Sequence, residues 1–288
     1  MRHTRGGAVS RWLAGLLFML LVMLLMHKAG WLPGNLALPG LPFGGGAAGS
    51  DMTEYKSEWP DTFTPDSEGL LFWNRYQDDL AKAAEEVRVA VYSTHSSESY
   101  TAFSGEPKVY GEHGGVYAAS SALAERLLDY GVGVYVDETI HDWPDWNKSY
   151  ANSLETAERL LETYPNLSVL IDMHRDAGVS RESSFCLVNG RNAARIMLVV
   201  GSDKRYEHPN WQKNEAFMEK IAAKMEDMYP GLLRRVSVQT GRYNQHVFDH
   251  AILVEMGTTE NTIDEVEYSA QLLGDVLAAV LAEENELN

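Results

Sequence analysis

The sequence predicts an α/β fold: one three-layer domain in which a mostly parallel or mixed sheet lies between helices on both faces. Three observations lead there. Apolar, β-rich runs of four to eight residues alternate with stretches of helical period. Three of those runs finish in a His or a Glu, the usual place for ligand chemistry in an open α/β sheet, whose strand carboxyl ends form the binding crevice. At 288 residues and 45% hydrophobic content, the chain is long enough to bury a full core.

Taken in order, the chain first presents Arg2, Arg5 and Arg11, then an unbroken apolar run from Trp12 to Met26, then His27 and Lys28. No small-residue cleavage site follows directly, the nearest lying near Ala47, so the run is expected to be an uncleaved transmembrane helix rather than a removed signal peptide. The positive-inside rule places the basic end in the cytoplasm and the rest of the chain outside it. Residues 1–32 are thus read as cytoplasmic tail and membrane anchor, 33–66 as a Pro/Gly-rich flexible tether, and 67–288 as the domain that carries the chemistry.

Within that domain Glu68 to Glu86 is helical in pattern and leads into the strand Val87–Tyr92. Val116, Ala119, Leu123 and Leu127 lie at helical spacing, stopped by Gly131 and followed by the strand Val132–Val136. A helix is expected from Ser149 to Tyr164, closed by Pro165, then a strand from Leu167 to Met173 and another from Ile196 to Gly201. Trp211, Phe217, Met218, Ile221, Met225 and Met228 form a helical stripe. Residues 234–239 and 251–256 read as strands, and Ile263, Val266, Ala270, Leu273, Leu277 and Val280 as one face of a long final helix.

The formal charge is −17, and residues 51–288 hold 20 Lys and Arg against 41 Asp and Glu. Phosphate binding needs a basic footprint, so nucleic acid is excluded as a partner. The lone Cys186 excludes an intrachain disulfide and a cysteine zinc cluster, and reads as a small buried hydrophobe.

His95 and Glu98 follow the first strand, and His174 ends another. Two imidazoles and a carboxylate are the donor set of a catalytic zinc whose fourth position is left to water. Glu112 and His113 are rival third ligands. Glu255 closes an apolar strand between Val254 and Met256, where desolvation raises a carboxyl pKa and suits it to act as a general base. Asp172 shares a strand face with His174 and is placed to orient it. Arg175 is read as an anchor for a substrate carboxylate or a developing oxyanion, with an ion pair to Asp176 as the alternative. Arg242, Tyr243, Asn244 and Gln245 offer planar donors and an aromatic wall for a peptide or sugar, and His141 with Asp142 follows another strand end.

These residues resemble the stage II sporulation protein P family of cell-wall hydrolases. The matching stretches are Tyr92-Ser-Thr-His-Ser-Ser-Glu-Ser-Tyr100, Thr139-Ile-His-Asp142 with Ser149-Tyr150, Ile171-Asp-Met-His-Arg-Asp-Ala177, Tyr229-Pro-Gly231, Arg242-Tyr-Asn-Gln245, and Leu253-Val-Glu-Met-Gly257 followed by Glu260-Asn-Thr262. The resemblance implies an amidase-like fold and a zinc-dependent N-acetylmuramoyl-L-alanine amidase with added endopeptidase activity on peptidoglycan, acting in engulfment during sporulation. It also implies a membrane anchor, a partner lytic transglycosylase and a membrane scaffold protein. His95 and His174 match the family's metal histidines, and Glu255 its catalytic glutamate. The chain departs at Ser93-Thr-His95, where relatives read His-Thr-His, and at His246 and His250. The position of Glu98 is also similar to the ligand order of zinc carboxypeptidases, so the alternatives are an exopeptidase or a non-catalytic wall-binding module.

Overall fold

The computed structural model describes residues 86–286. The expected membrane anchor, the tether and nearly all of the helix before the first strand lie outside these residues. Among the described residues no helix is long and apolar enough to cross a membrane.

Six strands form the main sheet: β1 (Val87–Tyr92), β2 (Gly133–Val136), β3 (Val169–Asp176), β6 (Ile196–Gly201), β7 (Leu233–Gln239) and β8 (Ala251–Thr258). Their order across the sheet is β2-β1-β3-β8-β6-β7. β2, β1, β3 and β8 are mutually parallel, whereas β6 pairs antiparallel with β8 and parallel with β7, so the sheet is mixed. The order turns back at β1: the chain leaves it for β2 on one side and returns to β3 on the other. That reversal opens a crevice at the carboxyl ends of β1 and β3.

The helices are α1 (Thr101–Ser104), α2 (Gly115–Asp129), α3 (Ser149–Thr163), α4 (Arg181–Ser184), α5 (Trp211–Met228) and α6 (Ile263–Glu286). Helices do cover both faces, but unevenly. On one face Val91, Ile171, Met173, Ile252, Val254 and Met256 pack with side chains of α2, α5 and α6, such as Leu123, Met218, Ile221 and Leu277. Each such buried aliphatic side chain contributes about 1.5–3 kcal/mol. Among the described residues α3 is the helix that covers the other face, through Ala157 and Leu160 against Ala90, Leu170 and Ala251. Beyond α3, Tyr243 is the hydrophobic side chain packed on a small patch of Met197, Val199 and Leu253 among the described residues.

A two-stranded hairpin, β4 (Phe185–Val188) and β5 (Arg191–Ala194), was not anticipated. Its turn is Asn189-Gly190, both at positive φ (52° and 77°), the tight connection that suits the twist of a hairpin. Cys186 sits in β4 as a half-buried free thiol.

Candidate active site

Two of the expected strand ends are not ends. β3 continues to Asp176 and β8 to Thr258, so His174 and Glu255 lie two or three residues inside their strands. They are partners in the parallel register, as are Asp172 and Leu253. Strand alternation therefore puts Asp172, His174, Leu253 and Glu255 on the sparsely covered face, opposite Met173 and Val254.

His95 and Glu98 come from the turn after β1, and this turn is braced from several sides. Asp172 accepts from Thr94 N (2.8 Å) and Thr94 Oγ1 (2.6 Å), joining the end of β1 to β3. Asp142 accepts from Ser97 N (3.0 Å) and Ser97 Oγ (2.6 Å). His141 bonds Ser93 O through Nδ1 (2.8 Å) and Thr156 Oγ1 through Nε2 (2.9 Å). Residues just past a strand end are expected to line the cleft or to face solvent, and these two do neither: His141 and Asp142 are buried struts.

His95, Glu98 and His174 meet, and Glu255 stands beside His174 in the strand register. The rings of His95 and His174 are edge-on with centroids 5.2 Å apart. His174 Nδ1 is 3.3 Å from Glu98 Oε2, and its Nε2 is 3.0 Å from Asp172 Oδ1, though the latter contact is not aligned as a hydrogen bond. His95 stacks on Trp146 (3.8 Å, 6°) and meets Tyr150 edge-on at 5.5 Å. Trp146 is a site residue that sequence reasoning missed, its signal being the aromatic-rich stretch Trp143-Pro-Asp-Trp146, while Tyr150 stands in the matching stretch Ser149-Tyr150 without a role having been assigned to it.

The electrostatics follow from burial and neighbours. Burial raises the Glu255 carboxyl to about 7, against a smaller opposing pull from His174. Burial lowers His95 to about 4, with His174 adding to the effect. Burial acts to lower His174 as well, but the Asp172 and Glu98 carboxylates override it and hold it well above the ordinary value. For Glu98 burial pulls upward, and His174 and Arg175 outweigh it to give a lowered pKa. The pocket around His174 therefore favours a positive charge.

His95 Nδ1, His174 Nε2 and Glu255 Oε2 are buried with no hydrogen-bond partner. The 3.3 Å between His174 Nδ1 and Glu98 Oε2 matches the ligand-to-ligand edge of a tetrahedral zinc with bonds of about 2.0–2.1 Å. Among the described residues, however, no three His, Cys, Asp or Glu side chains are gathered closely enough to hold one ion as they stand. The residues fit zinc in donor type, in local charge preference and in one ligand edge.

Glu112 and His113 are exposed. His113 bonds Glu138 O (2.8 Å) and stacks on Tyr117, so neither joins the cluster. Arg175, expected to face substrate, is buried: its guanidinium donates to Ser99 O (2.9 Å), Pro107 O (2.6 Å) and Glu98 Oε1 (3.3 Å). Asp176 instead pairs with Arg234. In the Arg242–Gln245 stretch, Gln245 bolts Gly201 N (2.7 Å) to Val199 O (2.7 Å). Asn244 donates to Tyr150 O (2.9 Å) and Ser153 Oγ (3.0 Å). Both are buried, leaving Tyr243, 5.9 Å from the Tyr150 ring, and Arg242, beside the Tyr206 ring, as the members able to meet a ligand.

The family model described as Stage II sporulation protein P matches residues 50–278. Stage II sporulation protein P of Bacillus subtilis (strain 168) is 26% identical over 220 residues, covering 69% of this chain and 52% of that protein. The chain thus spans about half the length of this curated relative. Among solved structures, the catalytic domain of CwlV, an N-acetylmuramoyl-L-alanine amidase from Bacillus (Paenibacillus) polymyxa var. colistinus, is 12% identical with a TM-score of 0.42, covering 70% of this chain and 100% of that one. The CwlD amidase of Clostridioides difficile, solved with the GerS lipoprotein, is 11% identical with a TM-score of 0.44 over the same shares. Likeness at that level carries no argument about chemistry.

Proposed function

We propose, from the premise that this chain belongs to the stage II sporulation protein P family, that it is a zinc-dependent peptidoglycan hydrolase of sporulation. Its favoured bond is the N-acetylmuramoyl-L-alanine amide, with stem-peptide crosslinks second. The observation that carries the reading is a buried carboxyl, Glu255, raised to about 7 by desolvation and in register with a histidine held between two further carboxylates.

His95, His174 and Glu98 would hold the zinc, which when bound supplies a Lewis acid for the amide carbonyl and acidifies a water. Glu255 removes the proton from the attacking water and returns it to the departing amine, a task that needs a carboxyl titrating near the working pH. Asp172 steadies His174 and, through Thr94, the start of the His95 turn. Trp146 holds the His95 ring by stacking. Arg175 adds to His174 in keeping Glu98 ionised and fixes its direction, so its part is positioning rather than substrate contact. Tyr243 and Tyr150 wall the side of the site nearest α3.

The basic-then-apolar N-terminus supports a single-pass anchor with the hydrolase domain outside the cytoplasm. A lytic transglycosylase and a membrane scaffold of the engulfment machinery are the proposed partners.

The test is Glu255→Gln in the full chain, with released fragments identified by mass spectrometry after incubation with purified peptidoglycan. Whole stem peptides are the expected product of the unaltered protein. The variant should bind peptidoglycan as before and hydrolyse it about 10²–10⁴-fold more slowly. Undiminished hydrolysis would remove Glu255 from the reaction, and release of single terminal residues would make the enzyme an exopeptidase.

A further inference from the structure

The sparsely covered face of the sheet carries a row of side chains that continues past the site. In register, His174 on β3 partners Glu255 on β8, Glu255 partners Met197 on β6, and Met197 partners Arg235 on β7. Neighbouring strands lie about 4.8 Å apart, so the Arg235 backbone is on the order of 10 Å from that of Glu255 along a straight line across the sheet. The Arg235 side chain lies back along this row, its Nε donating to Met197 Sδ at 3.3 Å.

Two arginines meet at Met197, and their charges stand differently. Arg234 also reaches Met197 Sδ (3.1 Å), but its guanidinium is paired with Asp176 and its side chain is only 12% exposed. Arg235 is exposed, and among the described residues it has no carboxylate partner. Arg175, closer to Glu98, has its donors occupied by protein carbonyls and that carboxylate. Arg235 is therefore an unneutralised cation at the outer end of the row, in a chain of net charge −17.

We propose that Arg235 is a specificity-determining residue that pairs with a free carboxylate on the leaving-peptide side of the substrate, one to two residues from the scissile amide. The inference rests on the peptidoglycan reading above and deepens it. An extended peptide advances about 3.3–3.6 Å per residue, so a carboxylate on the second stem residue falls roughly 7 Å from the bond cut at the first. A long arginine side chain lying over Met197, the residue between it and Glu255 in the register, has the length to cover the remaining gap. In the stem peptide the second residue is a D-glutamate joined through its side-chain carboxyl, which leaves its α-carboxyl free. Guanidinium and carboxylate match as a two-point pair, a recognition lost when the acid is an amide.

The experiment compares two soluble muropeptides, N-acetylglucosaminyl-N-acetylmuramoyl-L-alanyl-D-isoglutamate and its isoglutamine form. Binding is measured by calorimetry to the full chain carrying Glu255→Gln, so that hydrolysis does not consume the probe. The free acid should bind about tenfold more tightly than the amide, the scale of one hydrogen bond to a charged group. Adding Arg235→Gln should abolish that preference, and Arg235→Lys should restore part of it, with unchanged circular dichroism in each. Equal affinity for the two forms, a preference that survives Arg235→Gln, or no binding of either form overturns the proposal. Hydrolysis of purified peptidoglycan by the unaltered protein and by Arg235→Gln, run alongside, keeps the two readings apart: cleavage by the unaltered protein without any acid preference removes the role of Arg235 and leaves the hydrolase reading standing.

Discussion

The two faces of the sheet are written by the same strands in alternate residues, yet they are different materials. On the face beneath α2, α5 and α6, β3 and β8 present Ile171, Met173, Ile252, Val254 and Met256, and the residues around them are aliphatic. On the other face the same strands present Asp172, His174, Leu253 and Glu255, with α3 covering only part of the surface. Three helices bury the aliphatic side, and the polar residues opposite are buried too, Asp172 and His174 being 2% and 3% exposed. Loss of solvation raises the Glu255 carboxyl, whereas His174 is raised against its own desolvation by the Asp172 and Glu98 carboxylates beside it.

Adjacent residues test that division most sharply. His174→Ala should reduce peptidoglycan hydrolysis by more than the about 10- to 100-fold that follows loss of an outer partner of a ligand, with bound zinc falling in parallel by elemental analysis. Met173→Ala, one residue away on the opposite face, should cost about 2–5 kcal/mol in denaturant unfolding while hydrolysis per folded molecule persists. If Met173→Ala instead abolished hydrolysis at full stability, the division of labour between the faces would fail.

Asp172→Asn is the next largest effect. It weakens the grip on His174 and replaces one acceptor of Thr94 with a donor, and should lower zinc affinity about 10- to 100-fold in competition with a chelator. Affinity equal to that of the unaltered protein would mean that Asp172 serves only the backbone of Thr94.

The smallest effect is on the pH profile. Burial raises Glu255 from 4.5 to about 7, so the folded state holds its proton more tightly than the unfolded chain does. Its contribution to stability is then fully present below about 4.5 and is lost as pH rises through about 7. Hydrolysis needs the ionised form and should rise over the same upper range. Unfolding midpoints measured across this interval should slope downward in the unaltered protein and be flatter in Glu255→Gln; identical slopes would place the proton elsewhere.

Much of this architecture was legible because period reports burial. The strands Val87–Tyr92 and Ile196–Gly201 and the helix spanning Trp211 to Met228 lie where their apolar patterns place them. That His95 and Glu98 lie near His174 and Glu255 was legible too, since apolar strands running into polar residues at their carboxyl ends point to one edge of the sheet. The reversal of β6 and β7 relative to the other strands was not, because strand direction depends on connections rather than on composition. Nor were the struts. Arg175, His141, Asp142, Asn244 and Gln245 have the residue types expected of a binding cleft, but each is consumed by a partner distant in the chain, and local sequence does not name partners. The β4–β5 hairpin was readable in hindsight from Asn189-Gly190.

The approach of α2 to the His95 turn has one more consequence. Gly114 N donates to Ser96 O (2.8 Å), Gly115 N to Ser99 Oγ (3.0 Å) and Val116 N to Glu98 O (3.2 Å). A Cβ on Gly114 would fall 1.9 Å from Glu98 O, and one on Gly115 2.5 Å from the Tyr100 ring. The helix has no side-chain cap of its own and uses the carbonyls of the turn in that place. Unwinding the first turn of α2 would free the backbone carbonyls of Ser96 and Glu98 together, so slow amide exchange at Gly114 and Val116 is the expected sign that helix and turn are held as one piece.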